Sequence, residues 1–329
     1  MTDSIPEPVI INGMGDTVYR GMAILAGMQL DLFTPLKDGP LSADQIAASL
    51  GVEVVKLRPL LYSLVTVGLL TVEDGFFANT AEADYYLVRG RPRYWGDRHK
   101  AESDLWIAAL GIAESIRTGK PQAAHDYENM REDELEEFLG GLHCKAYADG
   151  ALLARDYDFS SCQRVLDVGG GSGGVAIALA EALPHLHATV VELPAVVPVA
   201  QRFVERAGVT QRVQVKAVDV VRQPLQDTFD AALLRAFIQV ISLEEAREAL
   251  RNVHQALRPG GTIYIRDLTL DDSRLTPLNA TLFSPVFVAI YEHGQSQTVQ
   301  EYRDLVTEAG FENFELHADR VLTARKPVS

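Results

Sequence analysis

Val165-Leu166-Asp167-Val168-Gly169-Gly170-Gly171-Ser172-Gly173-Gly174 reads as a buried strand, an acid at its tip, and a glycine loop that opens a helix. Such a loop brings backbone N–H groups close to a nucleotide-like ligand, because glycine takes the turns required and puts no side chain in the way. Gly169, Gly171 and Gly174 satisfy G-x-G-x-x-G, and Glu192 ends the next apolar run roughly 20 residues on, where ribose hydroxyls are held. That spacing also serves dinucleotides. Asp167 decides between them, since a carboxylate at the mouth of the loop repels a pyrophosphate and attracts a ligand with a cationic head. The expected cofactor is S-adenosylmethionine rather than NAD.

The 329 residues, 47% of them hydrophobic, suffice for a large core and two domains. A net charge of −15 argues against a nucleic-acid or polybasic membrane surface, because phosphates are repelled. Two cysteines, Cys144 and Cys162, supply neither a disulfide framework nor a Cys-rich zinc site, and the acidic run Glu132 to Glu137 reads as a solvated helix face, so no metal is expected. No apolar run reaches the roughly 18 residues of a membrane span. A soluble, cytoplasmic protein is the expectation.

From Arg164 onward strands near Val165, Ala188 to Val191, Val213 to Val218, Ala231 to Leu234 and Thr262 to Ile265 alternate with helices. This predicts a parallel sheet covered on both faces, closed by a hairpin of Phe311 to Leu316 and Val321 to Ala324. Residues 156–329 are thus an α/β, Rossmann-like unit. Residues 1–155 read as a helical domain: Val18 to Leu36, a capped helix from Ala43 to Leu50, Val54 to Val67, a short hairpin around Asp74-Gly75, then Trp106 to Gly119 and Asp133 to Ala154. The early part is an all-α winged-helix pattern with that hairpin as the wing.

With Leu32-Phe33, the wing, Trp106, Thr118-Gly119-Lys120-Pro121, the glycine loop, Glu192-Leu193-Pro194, Leu257-Arg258-Pro259-Gly260-Gly261 and Glu308-Ala309-Gly310-Phe311 in order, the chain resembles the class I methyltransferases typified by plant caffeate-type and bacterial antibiotic-type O-methyltransferases. The resemblance implies a seven-stranded methyltransferase sheet with an N-terminal winged-helix dimerisation domain. It implies that Gly169 and Gly171 contact the amino-acid part of the cofactor, Glu192 its ribose, Asp219 and Val220 its adenine, with Arg235 beside it. It also implies a homodimer with intertwined N-terminal helices, placing the segment from Asn12 to Tyr19 near a partner's pocket.

Two departures from the family carry mechanism. Relatives that methylate phenols hold a His base in a Leu-His-Asp-Trp context, where this chain runs Arg235-Ala236-Phe237-Ile238-Gln239. An amide binds no proton near neutral pH, so Gln239 cannot replace that base. The carboxylate that orients the His falls in Gly-Lys-Glu-Arg-Thr, where this chain has Gly294-Gln295-Ser296-Gln297-Thr298. Loss of both suggests a nucleophile that needs no deprotonation, such as a thioether sulfur, with catalysis by alignment worth on the order of 7 kcal/mol. The methylthiohydroxybutyrate S-methyltransferases, which resemble the same family, do this kind of chemistry on the way to dimethylsulfoniopropionate. Phe283, Phe287, Tyr291 and Tyr147 then offer aromatic faces to the nascent sulfonium. His143, four residues from Tyr147, and His293 are candidate donors or a replacement base, and Arg20 a cation that crosses the dimer to a substrate carboxylate. The alternatives are an O- or C-methyltransferase of an aromatic, polyketide or tetrapyrrole product, an enzyme that holds the cofactor without methylating, and a winged-helix regulator, the last disfavoured by Glu53 beside Lys56 and Arg58.

Overall fold

The computed structural model describes residues 6–328, which divide into two compact units at Ser103/Asp104. In the first, helix α1 (Val9–Gln29) precedes β1 (Leu41–Ser42), α2 (Ala43–Leu50), α3 (Val54–Thr66), β2 (Leu70–Glu73), β3 (Phe76–Asn79) and α4 (Ala81–Leu87). Ser42 starts α2 through a capping box: its Oγ accepts from the Gln45 N–H at 3.3 Å while Gln45 Oε1 accepts from the Ser42 N–H at 2.8 Å. Gly51 stops the helix at φ 67°, a left-handed turn that costs glycine nothing. Phe33, Ile46, Leu61, Leu64 and Phe77 are buried at its centre. The unit is not all-α: β1 pairs with β3, Leu41 opposite Phe77, giving a three-stranded sheet of order β1-β3-β2. The extra strand is two residues long and ends on the cap residue itself, too short for a period-2 signal.

The second unit takes in α5 (His99–Ala109, within which the division falls), α6 (Ile112–Thr118), α7 (Glu132–Asp156), β4 (Arg164–Val168), α8 (Gly174–Ala182), β5 (His187–Glu192), α9 (Val197–Arg206), β6 (Val213–Ala217), β7 (Phe229–Arg235), α10 (Leu243–Ala256), β8 (Leu257–Arg266), α11 (Leu278–Ile290), α12 (Val299–Glu308), β9 (Glu312–Leu316) and β10 (Leu322–Arg325). Seven strands run β6-β5-β4-β7-β8-β10-β9, parallel as far as β8, with β10 antiparallel to both neighbours. The boundary expected at 155/156 therefore moves to 103/104. Its reason is packing: α7 lies against α8 and α6 against α11, so these helices belong to the sheet unit. The single helix expected from Trp106 to Gly119 is two, separated at Leu110-Gly111.

Alternation along the strands assigns each residue to a face. Leu166, Ala232, Leu234, Ile263 and Ile265 pack with α10 and α12, whereas Val165, Ala231, Leu233 and Tyr264 pack with α7 and α8. Asp167, Arg235 and Arg266, two residues on from that second set, thereby face α7 and α8 at the carboxyl ends of their strands, where open parallel sheets bind ligands. No helix among the described residues is long and apolar enough to cross a membrane.

Candidate functional site

The loop leaving β4 keeps Gly169 at φ 58° and Gly171 at φ 57°, and the Gly169 N–H still donates to the Val191 carbonyl at 2.9 Å. A Cβ on Gly169 would stand 2.5 Å from the Phe237 ring, so both dihedral and space demand glycine there. Glu192, at the end of β5, clamps the loop: Oε1 accepts from the Gly171 N–H at 2.9 Å and Oε2 from the Leu193 N–H at 2.8 Å. Burial raises its carboxyl. Each oxygen keeps a lone pair, so ribose hydroxyls can add to these bonds.

Asp167 is not at the mouth of the loop. Its carboxylate is wholly buried beneath it, Oδ2 accepting from the Ala176 N–H at 3.3 Å and Oδ1 without a partner, and burial pushes it up to about 7. An orphaned buried carboxylate oxygen under a cradle of backbone amides suits a cationic ligand above it. S-adenosylmethionine fits these residues, with Gly169, Gly171 and Glu192 to hold it. Asp219 accepts from the Val221 N–H at 3.0 Å and pairs with Arg222 at 3.4 Å. Val220, expected with Asp219 at the adenine, is 4% exposed in the core on the α10 side.

Arg235 belongs to a buried charge network that the sequence reading missed. Asp149, on α7, takes Arg235 Nε at 2.9 Å on one carboxylate oxygen and Arg266 Nε at 2.8 Å on the other, with Lys145 Nζ at 3.4 Å. Burial alone would raise the Asp149 carboxyl, but the charges of Arg235, Lys145 and Arg266 outweigh it and hold it below the usual range. The signal in the sequence was an acid on the buried stripe of α7, between Ala146 and Leu153.

An aromatic cluster forms at the carboxyl end of α11. Ala123 and His125 donate their backbone N–H groups to the carbonyls of Ala289 and Ile290, at 2.9 and 3.1 Å, which docks the 123–127 segment there. The structure so brings Phe283, Phe287 and Tyr291 together with His125, Tyr127 and Phe138: Phe283 and Phe287 meet edge to face at 5.1 Å, and the Tyr127 and Tyr291 hydroxyls share a hydrogen bond of 2.7 Å. Burial pushes Tyr291 up to about 12 and raises Tyr127 well above the usual phenol range, so both stay protonated. The cluster adjoins the loop. Glu192 is among the charges acting on Tyr127, and Leu139, next to Phe138, stands 3.4 Å from where a Cβ on Gly171 would be.

The residues considered for catalysis lie elsewhere. Gln239 is 6% exposed; its Oε1 accepts from the Leu268 N–H at 2.6 Å, its N–H donates to Asp267, and its carbonyl accepts from Gln295, so it ties the ends of β7 and β8 to the 294–298 turn. His143 lies against Ser172 at 2.9 Å and stacks on Phe203, and burial, then the Arg206 charge, lowers it to about 4; it supports the loop. Tyr147 donates to Glu181 on α8, away from the aromatic cluster. His293 is exposed, near Glu245 and outside the aromatic cluster. Arg20 is exposed on α1, in the first unit.

A family model for the O-methyltransferase domain matches residues 98–312, and one for the O-methyltransferase dimerisation domain matches residues 15–89. The chain is 32% identical over 311 residues to 3-hydroxy-5-methyl-1-naphthoate 3-O-methyltransferase of Streptomyces sahachiroi, spanning 92% of this chain and 89% of the relative. It is 28% identical over 333 residues to the tetracenomycin polyketide synthesis 8-O-methyl transferase of Streptomyces glaucescens, spanning 96% and 98%. Among solved structures, human N-acetylserotonin methyltransferase in complex with SAM superposes with a TM-score of 0.86 at 23% identity, covering 99% of this chain and 100% of the other, a likeness of fold.

Proposed function

We propose that this chain, which belongs to the O-methyltransferase family, moves the methyl group of S-adenosylmethionine onto a hydroxyl of a small aromatic acceptor. It is an S-adenosylmethionine-dependent methyltransferase. The observation that carries the choice of acceptor is the cluster of Phe283, Phe287, Tyr291, Tyr127 and Phe138 beside the glycine loop, whose apolar rings and two un-ionised hydroxyls match the chemistry of a planar phenol. The named acceptor of the Streptomyces sahachiroi relative, a hydroxynaphthoate, has that shape and chemistry.

When bound, the cofactor supplies an electrophilic methyl group on a cationic sulfur. The chain does the rest by placement. Glu192 takes the ribose hydroxyls, Arg235 and Asp219 flank the ligand, and Asp167 lies under the loop to meet its positive charge. Tyr127 and Tyr291 orient the acceptor oxygen, and the surrounding rings exclude water, which sharpens alignment. Ile11, Met14, Val18 and Met22, exposed at helical spacing on α1, give the dimerisation domain an apolar stripe for a second copy, so the working form is a homodimer.

The test is mass-spectrometric product detection after incubation with S-adenosylmethionine and either hydroxylated naphthoates or 4-methylthio-2-hydroxybutyrate. A methyl ether from the naphthoates supports the reading. A sulfonium from the thioether acid, with no ether, overturns it and restores the reading from the missing His–Glu pair.

A further inference from the structure

We infer that His125, oriented by Asp104, is the base that takes the acceptor's proton, in place of the His–Glu pair this chain lacks. The inference rests on the hydroxyl-methylating reading above. His125 Nε2 lies 2.7 Å from Asp104 Oδ2. An ionised carboxylate can only accept, so Nε2 carries the hydrogen and Nδ1 presents a bare lone pair. Nδ1 is buried and has no partner among the described residues, and the His125 side chain is only 5% exposed. A buried acceptor left unpaired is a standing cost in the unliganded protein, and a hydroxyl of the substrate brought to Nδ1 removes it. The imidazole stands with ring centroids 4.8 Å from Phe138, 5.8 Å from Tyr291 and 5.9 Å from Tyr127, within the aromatic cluster.

The other groups there leave this role to His125. Burial keeps Tyr127 and Tyr291 protonated, whereas it lowers His125 despite Asp104, so the ring is neutral near pH 7 and able to accept. As the acceptor oxygen bonds to the donor methyl carbon, its proton passes to Nδ1, and the electrons of the broken carbon–sulfur bond stay on sulfur as a neutral thioether. The imidazolium formed is paired with Asp104, which is half-exposed and gives the proton a way to solvent.

His125→Gln keeps a donor to Asp104 and removes the base; Asp104→Asn changes a half-exposed site and keeps the fold. With a hydroxynaphthoate that the wild type methylates, His125→Gln is expected to lower kcat by roughly 10²–10⁴-fold with little change in KM, and to abolish the acidic limb of the kcat–pH profile. Asp104→Asn should lower kcat less and move that limb. Unchanged kcat and profile in His125→Gln overturn the inference while the ether product keeps the functional reading standing. A probe independent of turnover is 4-nitrophenol bound with S-adenosylhomocysteine. The wild type should hold it as the coloured phenolate below the pH at which it ionises free, and His125→Gln as the neutral phenol. Identical spectra in both, or no binding to the wild type, count against the inference even if no substrate is found.

Discussion

Replacing Asp149 with Ala removes the carboxylate that Arg235, Arg266 and Lys145 share, and leaves three cations facing one another. Breaking a buried ion pair from one side costs about 3–5 kcal/mol, because the partner charges stay desolvated. Arg235 and Arg266 are 16% and 22% exposed and Lys145 45%, so water offsets part of that and the lower end, about 3 kcal/mol, applies. With a urea dependence of about 3 kcal/mol per molar, the unfolding midpoint of the sheet unit falls by about 1 M. Urea titration by circular dichroism at neutral pH measures it, with Asp149→Asn, which keeps shape and one acceptor, falling between. The neighbouring charges hold the Asp149 carboxyl low, so its contribution is complete above the ordinary aspartate range. It fades as acid brings the pH down through the lowered value, and the gap between wild type and variant narrows there. A midpoint shift below roughly 0.3 M, or a gap that does not close in acid, refutes the reasoning.

Glu192→Ala frees the Gly171 and Leu193 N–H groups, and S-adenosylhomocysteine affinity by calorimetry should drop by roughly 10-fold or more, the worth of one charge-assisted bond. Gly169→Ala pushes a methyl into Phe237 and strains a left-handed residue; a loss of roughly 1–3 kcal/mol is expected, and Phe237→Ala in the same chain should recover part of it. Gln239→His orphans the Leu268 N–H and costs about 1–3 kcal/mol in thermal unfolding, with no gain in methylation rate; a gain would place a base there after all. Asp167 sits near 7 in the free protein, so a cationic ligand that favours its ionised form should bind more weakly as pH falls below 7 and release a proton, seen as heats that depend on the ionisation enthalpy of the buffer.

The sequence made the sheet, the glycine loop and the Ser42 cap legible, because each is a local pattern: an alternation, a spacing, a polar residue three before its partner. It was silent where partners meet through tertiary packing. Asp104 and His125 belong to no motif, and they are joined only because residues 123–127 dock on the end of α11. Arg235 was legible, but its partner Asp149 and the two further cations on that carboxylate, Lys145 and Arg266, were not, since they come from α7 and β8. Gln239 was legible as an amide that binds no proton, yet its structural task depends on Leu268 and Gln295, which no spacing announces. Asp167 was placed at the tip of its strand, while its facing toward α8, which buries it, follows from strand parity.

The Glu192 clamp means that the loop reaches its ligand-ready curvature during folding rather than on contact. The ordering entropy of Gly169 to Gly171 is met once, by the chain, and does not recur in each catalytic cycle. Exchange of spent cofactor for fresh can then proceed without the loop melting, so turnover need not wait on a backbone rearrangement at this end of the site.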